Sequence, residues 1–409
     1  MGTPISKCRS VLGKVVLAGV MLASPLLLCA QGDPASSVPP ALSAANDADK
    51  KSWWRAISVD GLASLSYTYN TNVPATRLNQ FRVFDFNDDE PQLDVAQLVV
   101  QHPVAESGRL GFRLNIMAGS GVPEVTAAYG MFRDTRSGVA HHFDIPEFYV
   151  TYVAPVGKGL HFDIGKFVTH LGYEVIGGYD GYNDDFSRGF VFGYGVPFTH
   201  TGVKASYAFN NKVAAALLIT NGCDAVTRLN GTVTFAGQVA VAPSKSTSVT
   251  FNFLHGAEQP HNPHDQRSVY ELTGTWKALP RLSVAFDGLY ADEDHAATDG
   301  SDAIWKGLAG YSKYNFTKRF SLAFRGEVFG DSGGSRTGTT QTLRGFTLTP
   351  EYVMAAELSR LRSEFRRLDG KFVVRGEFRQ DFSDRPTFQK ETGFTTRQFT
   401  TAANLIYLF

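Results

Sequence analysis

The chain has 409 residues, with 39 basic and 39 acidic side chains and a formal net charge of zero. That balance argues against a nucleic-acid ligand, whose phosphates call for a basic excess. Aromatic residues at 12%, 40 glycines and only four Trp suit many short strands and turns better than a helical fold.

Lys7, Arg9 and Lys14 precede an apolar stretch from Val15 to Leu28, and Leu28-Cys29-Ala30 ends in a small residue. This pattern predicts a secretory signal peptide over residues 1–30. The stretch is short for a membrane anchor, and Leu28 is too large for the position before a lipoprotein cysteine. Cleavage removes Cys8 and Cys29 and leaves Cys223 alone, so neither an intramolecular disulfide nor a Cys-based zinc ribbon can form. It also leaves 36 basic against 39 acidic residues. Residues 31–56 are Ala/Ser/Pro-rich, then charged, with Trp53-Trp54 near their end. They are expected to form a flexible periplasmic lead-in whose Trp pair lies at the membrane interface. Beyond the leader no apolar run approaches the ~18 residues of a membrane helix, so insertion must use strands.

From residue 57 to 409 the dominant period is two. Leu65, Tyr67 and Tyr69 alternate with Ser64, Ser66 and Thr68; Leu110, Phe112, Leu114 and Ile116 alternate with Arg109, Arg113 and Asn115. The same alternation recurs around Phe251, Leu272, Phe324 and Phe378. One face is apolar and the other polar, as in a membrane barrel, although a soluble sandwich alternates too. Loop lengths discriminate. Short connections such as Pro155–Gly159 and Asn210-Asn211 alternate with long ones such as 71–91, 119–143 and 170–197. All short turns then fall at one end and all long loops at the other. The count predicts an all-β, transmembrane, antiparallel up-and-down β-barrel of about 16 strands.

The segment 355–368, AAELSRLRSEFRRL, breaks the pattern: Leu358, Leu361, Phe365 and Leu368 recur at helical spacing among four Arg. It predicts a short periplasmic helix, packed on the barrel end or touching anionic headgroups. The chain ends on Phe399-Thr-Thr-Ala-Ala-Asn-Leu-Ile-Tyr-Leu-Phe409, apolar at Phe399, Leu405, Tyr407 and Phe409. A last strand of this kind is expected to pair with the first, because an open edge in lipid would leave its N–H and C=O groups unsatisfied.

A barrel of this size can enclose a water-filled channel whose selectivity follows from width and charge. The alternation turns Arg109, Arg113, Lys204, Lys277, Arg325, Arg375 and Arg379 inward, mixed with Glu271, Asp287, Glu327, Glu377 and Asp381. These charges could set up a transverse field across a pore or be pairs that stiffen the wall. Their balance predicts no strong preference for anions or cations. The loop 170–197 carries seven Gly and seven aromatic residues, too apolar for a surface loop. It is expected to enter the lumen as a constriction, with Tyr179, Asp180, Asn183, Asp184, Asp185 and Arg188 as its candidate residues. Asp180, Asn183, Asp184 and Asp185 lack the spacing of an EF-hand. His255, His261 and His264 with Asp265, and His141-His142 with Asp144, lack a zinc-site pattern. No metal or cofactor is expected, and no GxSxG, HExxH, P-loop or Rossmann fingerprint is present.

Three stretches carry a family resemblance: Leu93-Asp-Val-Ala-Gln-Leu-Val-Val100; Gly172-Tyr-Glu-Val-Ile176 with Tyr182-Asn183; and Ser187-Arg-Gly-Phe-Val-Phe-Gly-Tyr-Gly-Val-Pro-Phe-Thr-His-Thr-Gly-Val-Lys204. From about Trp53 to the end the chain resembles the OmpL-like beta-barrel porins, a family described as putative beta-barrel porin-2. The Arg-rich insertion at 355–368 departs from it. The resemblance implies a Gram-negative outer-membrane location and passive diffusion of small hydrophilic solutes and ions, with membrane lipids as neighbours and a homotrimer as an oligomer such barrels can form. Rival readings are a plugged barrel serving as adhesin or scaffold, a loop-end hydrolase, and a secreted soluble β-protein. A plugged barrel predicts wall charges paired internally; a porin predicts polar walls around open space.

Overall fold

A computed structural model describes residues 56–122, 132–133, 139–177, 182–355 and 370–409. The expected signal peptide, nearly all of the lead-in, the helix at 356–368, and Tyr179 and Asp180 lie outside the described residues. Residue 355, placed in that helix by its sequence, is instead the last residue of a strand.

Fifteen strands follow one another along the chain: β1 (Ser58–Asn70), β2 (Glu90–His102), β3 (Leu110–Ala118), β4 (Phe143–Ala154), β5 (Leu160–Val168), β6 (Thr199–Ala208), β7 (Val213–Thr220), β8 (Thr234–Ser244), β9 (Thr247–Ala257), β10 (Gln266–Leu279), β11 (Leu282–Glu293), β12 (Ala303–Asn315), β13 (Phe320–Asp331), β14 (Gln341–Ala355) and β15 (Lys371–Ser383). A two-stranded hairpin, β16 (Phe388–Gln389) and β17 (Phe394–Thr395), interrupts the series before β18 (Arg397–Leu408). β1 to β15 and β18 close into one 16-stranded antiparallel barrel. The alternation of short turns with long loops is realised: β2–β3, β4–β5, β6–β7, β8–β9, β10–β11 and β12–β13 are joined by short turns at one end.

The two-residue period becomes two chemically different faces. Leu65, Phe148, Ile164, Leu217, Trp276, Leu308, Phe324 and Phe346 are exposed on the outside, where lipid replaces water as the solvent. Aromatic rings gather where strands meet their turns: Tyr207 with Phe209, Tyr314 with Phe316, and Phe372 with Tyr407 and Phe409. These are side chains suited to an interface that is part apolar and part wet. Inside, Ser64, Ser66, Asn404 and their neighbours are buried and polar.

The closing seam runs from Leu62 opposite Leu408 to Asn70 opposite Thr400. Phe409 extends it by two main-chain hydrogen bonds with Gly61, of 2.9 and 3.1 Å. Gly61 is required there by space: a Cβ would stand 2.4 Å from the Phe409 ring and 2.6 Å from the Gln97 carbonyl oxygen. The ring could turn aside, but the Gln97 main chain belongs to β2 and cannot. Gly61→Val is therefore expected to cost about 1–3 kcal/mol. The readout is a lower temperature for the loss of the compact, SDS-resistant electrophoretic form.

Candidate functional site: a loop bound across the lumen

The connection between β5 and β6 turns into the barrel and is fastened there. Its base is closed by the Thr169 amide donating to Phe198 O at 2.9 Å. At its entry, Gln238 Nε2 donates to His170 O, and His170 Nε2 lies 3.1 Å from Phe253 O. The chain then turns at Gly172, whose φ of +96° favours glycine. Its amide donates to both oxygens of Glu271 at 2.8 and 2.9 Å, and the next amide, Tyr173, donates to Asp287 at 3.1 Å.

Farther along, Phe186 N and Ser187 N donate to the Glu377 carboxylate at 2.6 and 3.0 Å. Val191 N donates to Glu327 at 3.2 Å. Guanidinium groups serve the loop's carbonyls: Arg325 Nη1 donates to Ser187 O at 2.7 Å, Arg379 Nη1 to Arg188 O at 2.6 Å, and Arg375 Nη1 to Asn183 O at 2.5 Å. Trp305 Nε1 donates to Gly195 O. An irregular loop inside a barrel must satisfy its peptide groups without a ladder, and here the charged wall supplies the partners.

A short helix, α1 (Phe190–Gly195), sits in this loop with Phe190, Val191 and Phe192 almost fully buried. With Val196, Phe198, Leu171 and Ile176 they join Trp305, Phe329 and Leu289 of the wall in an apolar cluster. The first long connection adds Val83 and Phe84. It is tied down by Arg82, which donates to Asp381 at 2.7 Å and Thr400 at 3.0 Å and pairs with Asp85. Phe388 of the β16–β17 hairpin meets Phe81 edge-on at 5.6 Å. Three long connections thus meet inside the barrel mouth.

The predicted wall residues fall into two groups. Glu271, Asp287, Arg325, Glu327, Arg375, Glu377, Arg379 and Asp381 are all buried. They serve the loops or one another; Arg325 bridges Glu174 at 2.9 Å and Glu327 at 3.4 Å, and Arg379 bridges Asp381 at 2.8 Å. Arg113 is also buried, held by Glu147 and Gln101 at 2.8 Å each. Lys204 keeps part of its surface beside Asp163 at 2.9 Å, and Lys277 is exposed near the turn end of β10. Arg109 corrects the sequence reading: it precedes β3, lies in the turn and contacts exposed Glu106 at 3.4 Å, so it is not a wall residue.

The described loop candidates are brought to the wall. Asn183 brackets Val175 through its N–H and carbonyl, each at 2.8 Å. Asp184 meets Lys313 at 2.8 Å, and Asp185 accepts from Thr349 at 2.7 Å. Burial lifts the Asp185 carboxyl to about 7, against the pull of Arg325. Arg188 spans Val175 O, Ile176 O and Phe186 O and lies 4.3 Å over the Phe84 ring; burial pulls it down to about 10. No group of three or more His, Cys, Asp or Glu suited to a metal occurs among the described residues. His255 contacts Ser268, and Asp265 contacts Asn262 and His295.

Sequence reasoning missed Arg82, Phe84, Glu174 and Ser187. The run Phe81-Arg-Val-Phe84 inside an Asp-rich loop was the available signal, since such residues are not expected on a loop that only faces water.

His170 provides a pH test of the loop's entry. Burial, with His200 beside it, pushes the imidazole down to about 3 from 6.5. A released loop would bind the proton below about 6.5, whereas the seated loop does not until near 3, so seating weakens as pH falls through that window. Asp185, raised to about 7 in the same seated loop, works in the opposite direction, so the His170 share is read by difference: as pH falls from 6 to 4, limited proteolysis of the wild-type loop should increase relative to that of His170→Gln.

The model of the family described as "Putative beta-barrel porin-2, OmpL-like" matches residues 56–409. No curated protein matches the chain. Among solved structures the chain is similar to the outer membrane channel DcaP of Acinetobacter baumannii, with TM-score 0.54 and 9% identity over 86% of this chain and 97% of that one. It is also similar to an anion-selective porin from Comamonas acidovorans, with TM-score 0.54 and 9% identity over 86% and 99%. A third is OmpT of Vibrio cholerae in a trimer form, with TM-score 0.50 and 10% identity over 86% and 99%. At such identities these likenesses speak for the fold. With the family model spanning the whole described barrel, the chain belongs to the OmpL-like putative beta-barrel porin-2 family and is a porin of the bacterial outer membrane.

Proposed function

We propose that small hydrophilic solutes and ions diffuse passively through this barrel, beside the bound loop and not through it. The observation that carries the reading is the polar inner wall left uncovered toward the turn end. Most inward charges on β10–β15 are buried, many of them under the loop. Near the short turns of β4, β6, β9 and β10, Thr151, Ser206, Ser248, Thr275 and Lys277 are partly or fully exposed. Small hydroxyls and lysines around remaining space suit water and ions; width and charge would set what passes. No catalytic step is proposed, and the neighbours are outer-membrane lipid and the permeating solute. A homotrimer is the proposed assembly, in line with the trimer form of the similar OmpT.

A second reading is favoured by the buried, paired charges themselves: a closed barrel used as scaffold or adhesin. Liposome swelling with neutral sugars of increasing size separates the two. The porin admits small sugars and excludes larger ones. Swelling no faster than protein-free liposomes, from protein shown to be folded and inserted, would favour the scaffold.

A further inference from the structure

Resting on the porin reading, we infer that the turn-end part of the solute route runs along the β4–β6 wall and that Lys204 with Asp163 sets the ion selectivity there. The loop-to-wall hydrogen bonds given above from residues 172–195 all end on β10–β15. Most of the inward charges on those six strands hold the loop or one another. Lys204 and Asp163 stand directly opposite each other on β6 and β5. Among the described residues, no other ion pair with both partners on the inner wall keeps as much exposure, with side chains 27% and 13% exposed.

The pair is built, not incidental. Thr151 Oγ1 donates to Asp163 at 2.6 Å and leaves the other carboxylate oxygen for Lys204. The ammonium lies 5.3 Å from the Phe167 ring centroid and 5.9 Å from that of Tyr149, which holds it by cation–π attraction. Val203 and Ile164 are exposed on the outer face, so their neighbours Lys204 and Asp163 point inward by the strand period. A charge held at the edge of a narrow aqueous path acts within the ~8–10 Å over which salt does not yet screen it. The buried charges on β13 and β15, compensated at close range, contribute little field to that path.

The test is the reversal potential of the protein purified from the outer membrane, in a planar bilayer under a KCl gradient. Lys204→Glu should raise the cation-to-anion permeability ratio by roughly threefold or more, and Asp163→Asn should lower it. Arg109→Glu, altering an exposed turn residue, should move it far less. Ser206→Cys, two residues from Lys204 on the same face, should lose current on treatment with a charged thiol reagent, while wild type, whose Cys223 is buried, should not. This second readout holds if a charge variant folds poorly. Currents whose selectivity ignores both charge changes, with Ser206→Cys insensitive, would overturn the route and leave the porin reading standing. No current from folded wild-type protein would overturn both.

Discussion

Arg325→Met should unseat the lumenal loop. Arg325 is completely buried at the centre of an acidic group, bridging Glu174 at 2.9 Å and Glu327 at 3.4 Å, with Asp185 at 3.9 Å. Its guanidinium also donates to Ser187 O and to the Ser187 and Thr347 hydroxyls. Methionine fills similar volume without charge or donors. Carboxylates left in a site shut off from water would repel one another, and breaking a buried pair of this sort typically costs about 3–5 kcal/mol. The barrel ladder does not depend on Arg325, so the loss should fall on the loop. The expected result is a protease-sensitive loop and a higher, noisier single-channel conductance, with the SDS-resistant barrel form retained. Arg325→Lys should recover part of the effect, since it restores charge but not the forked donors.

Excision of the loop should have the larger effect on current. Thr169 and Phe198 are already joined by a 2.9 Å hydrogen bond, so residues 171–196 can be replaced by two glycines without stretching β5 from β6. The lumen would lose the apolar cluster around α1, and the wall would regain contact with water. Glu271, Asp287, Glu327 and Glu377 would then face the channel against Arg325, Arg375 and Arg379, and Arg375 would still be tied to Asn404. Conductance should rise about twofold or more, with a shift toward cations. An unchanged conductance would mean that the loop does not narrow the path.

Much of this architecture was legible before any coordinates. Phe324 and Phe378 alternate with Arg325 and Arg379, and that period alone places the rings on the lipid and the guanidinium groups inside. The loop lengths gave the barrel its two ends and its 16 strands. The Gly- and aromatic-rich stretch 170–197 declared itself too apolar for a surface position. What opposes an inward charge was not legible. Period-two alternation says which face Glu377 occupies, but not that it accepts from the amides of Phe186 and Ser187, because that contact joins segments about 190 residues apart. The helix α1 was hidden for a local reason. Phe-Val-Phe-Gly-Tyr-Gly has two glycines and no side-chain cap, and its helix is supported by burial among the wall's apolar side chains. Arg109 was misplaced because its alternation with Leu110 continues one residue beyond the strand.

The central claim is that water and ions pass beside a loop that stays bound to β10–β15. It is tested most directly by single-channel recording of the folded wild-type protein, before and after a disulfide is formed between Cys residues placed at Asp185 and Thr349, which are in hydrogen-bond contact. The account predicts stepwise currents that persist almost unchanged when the loop is locked to the wall. Currents abolished by the lock would show that conduction requires the loop to leave, contradicting the claim.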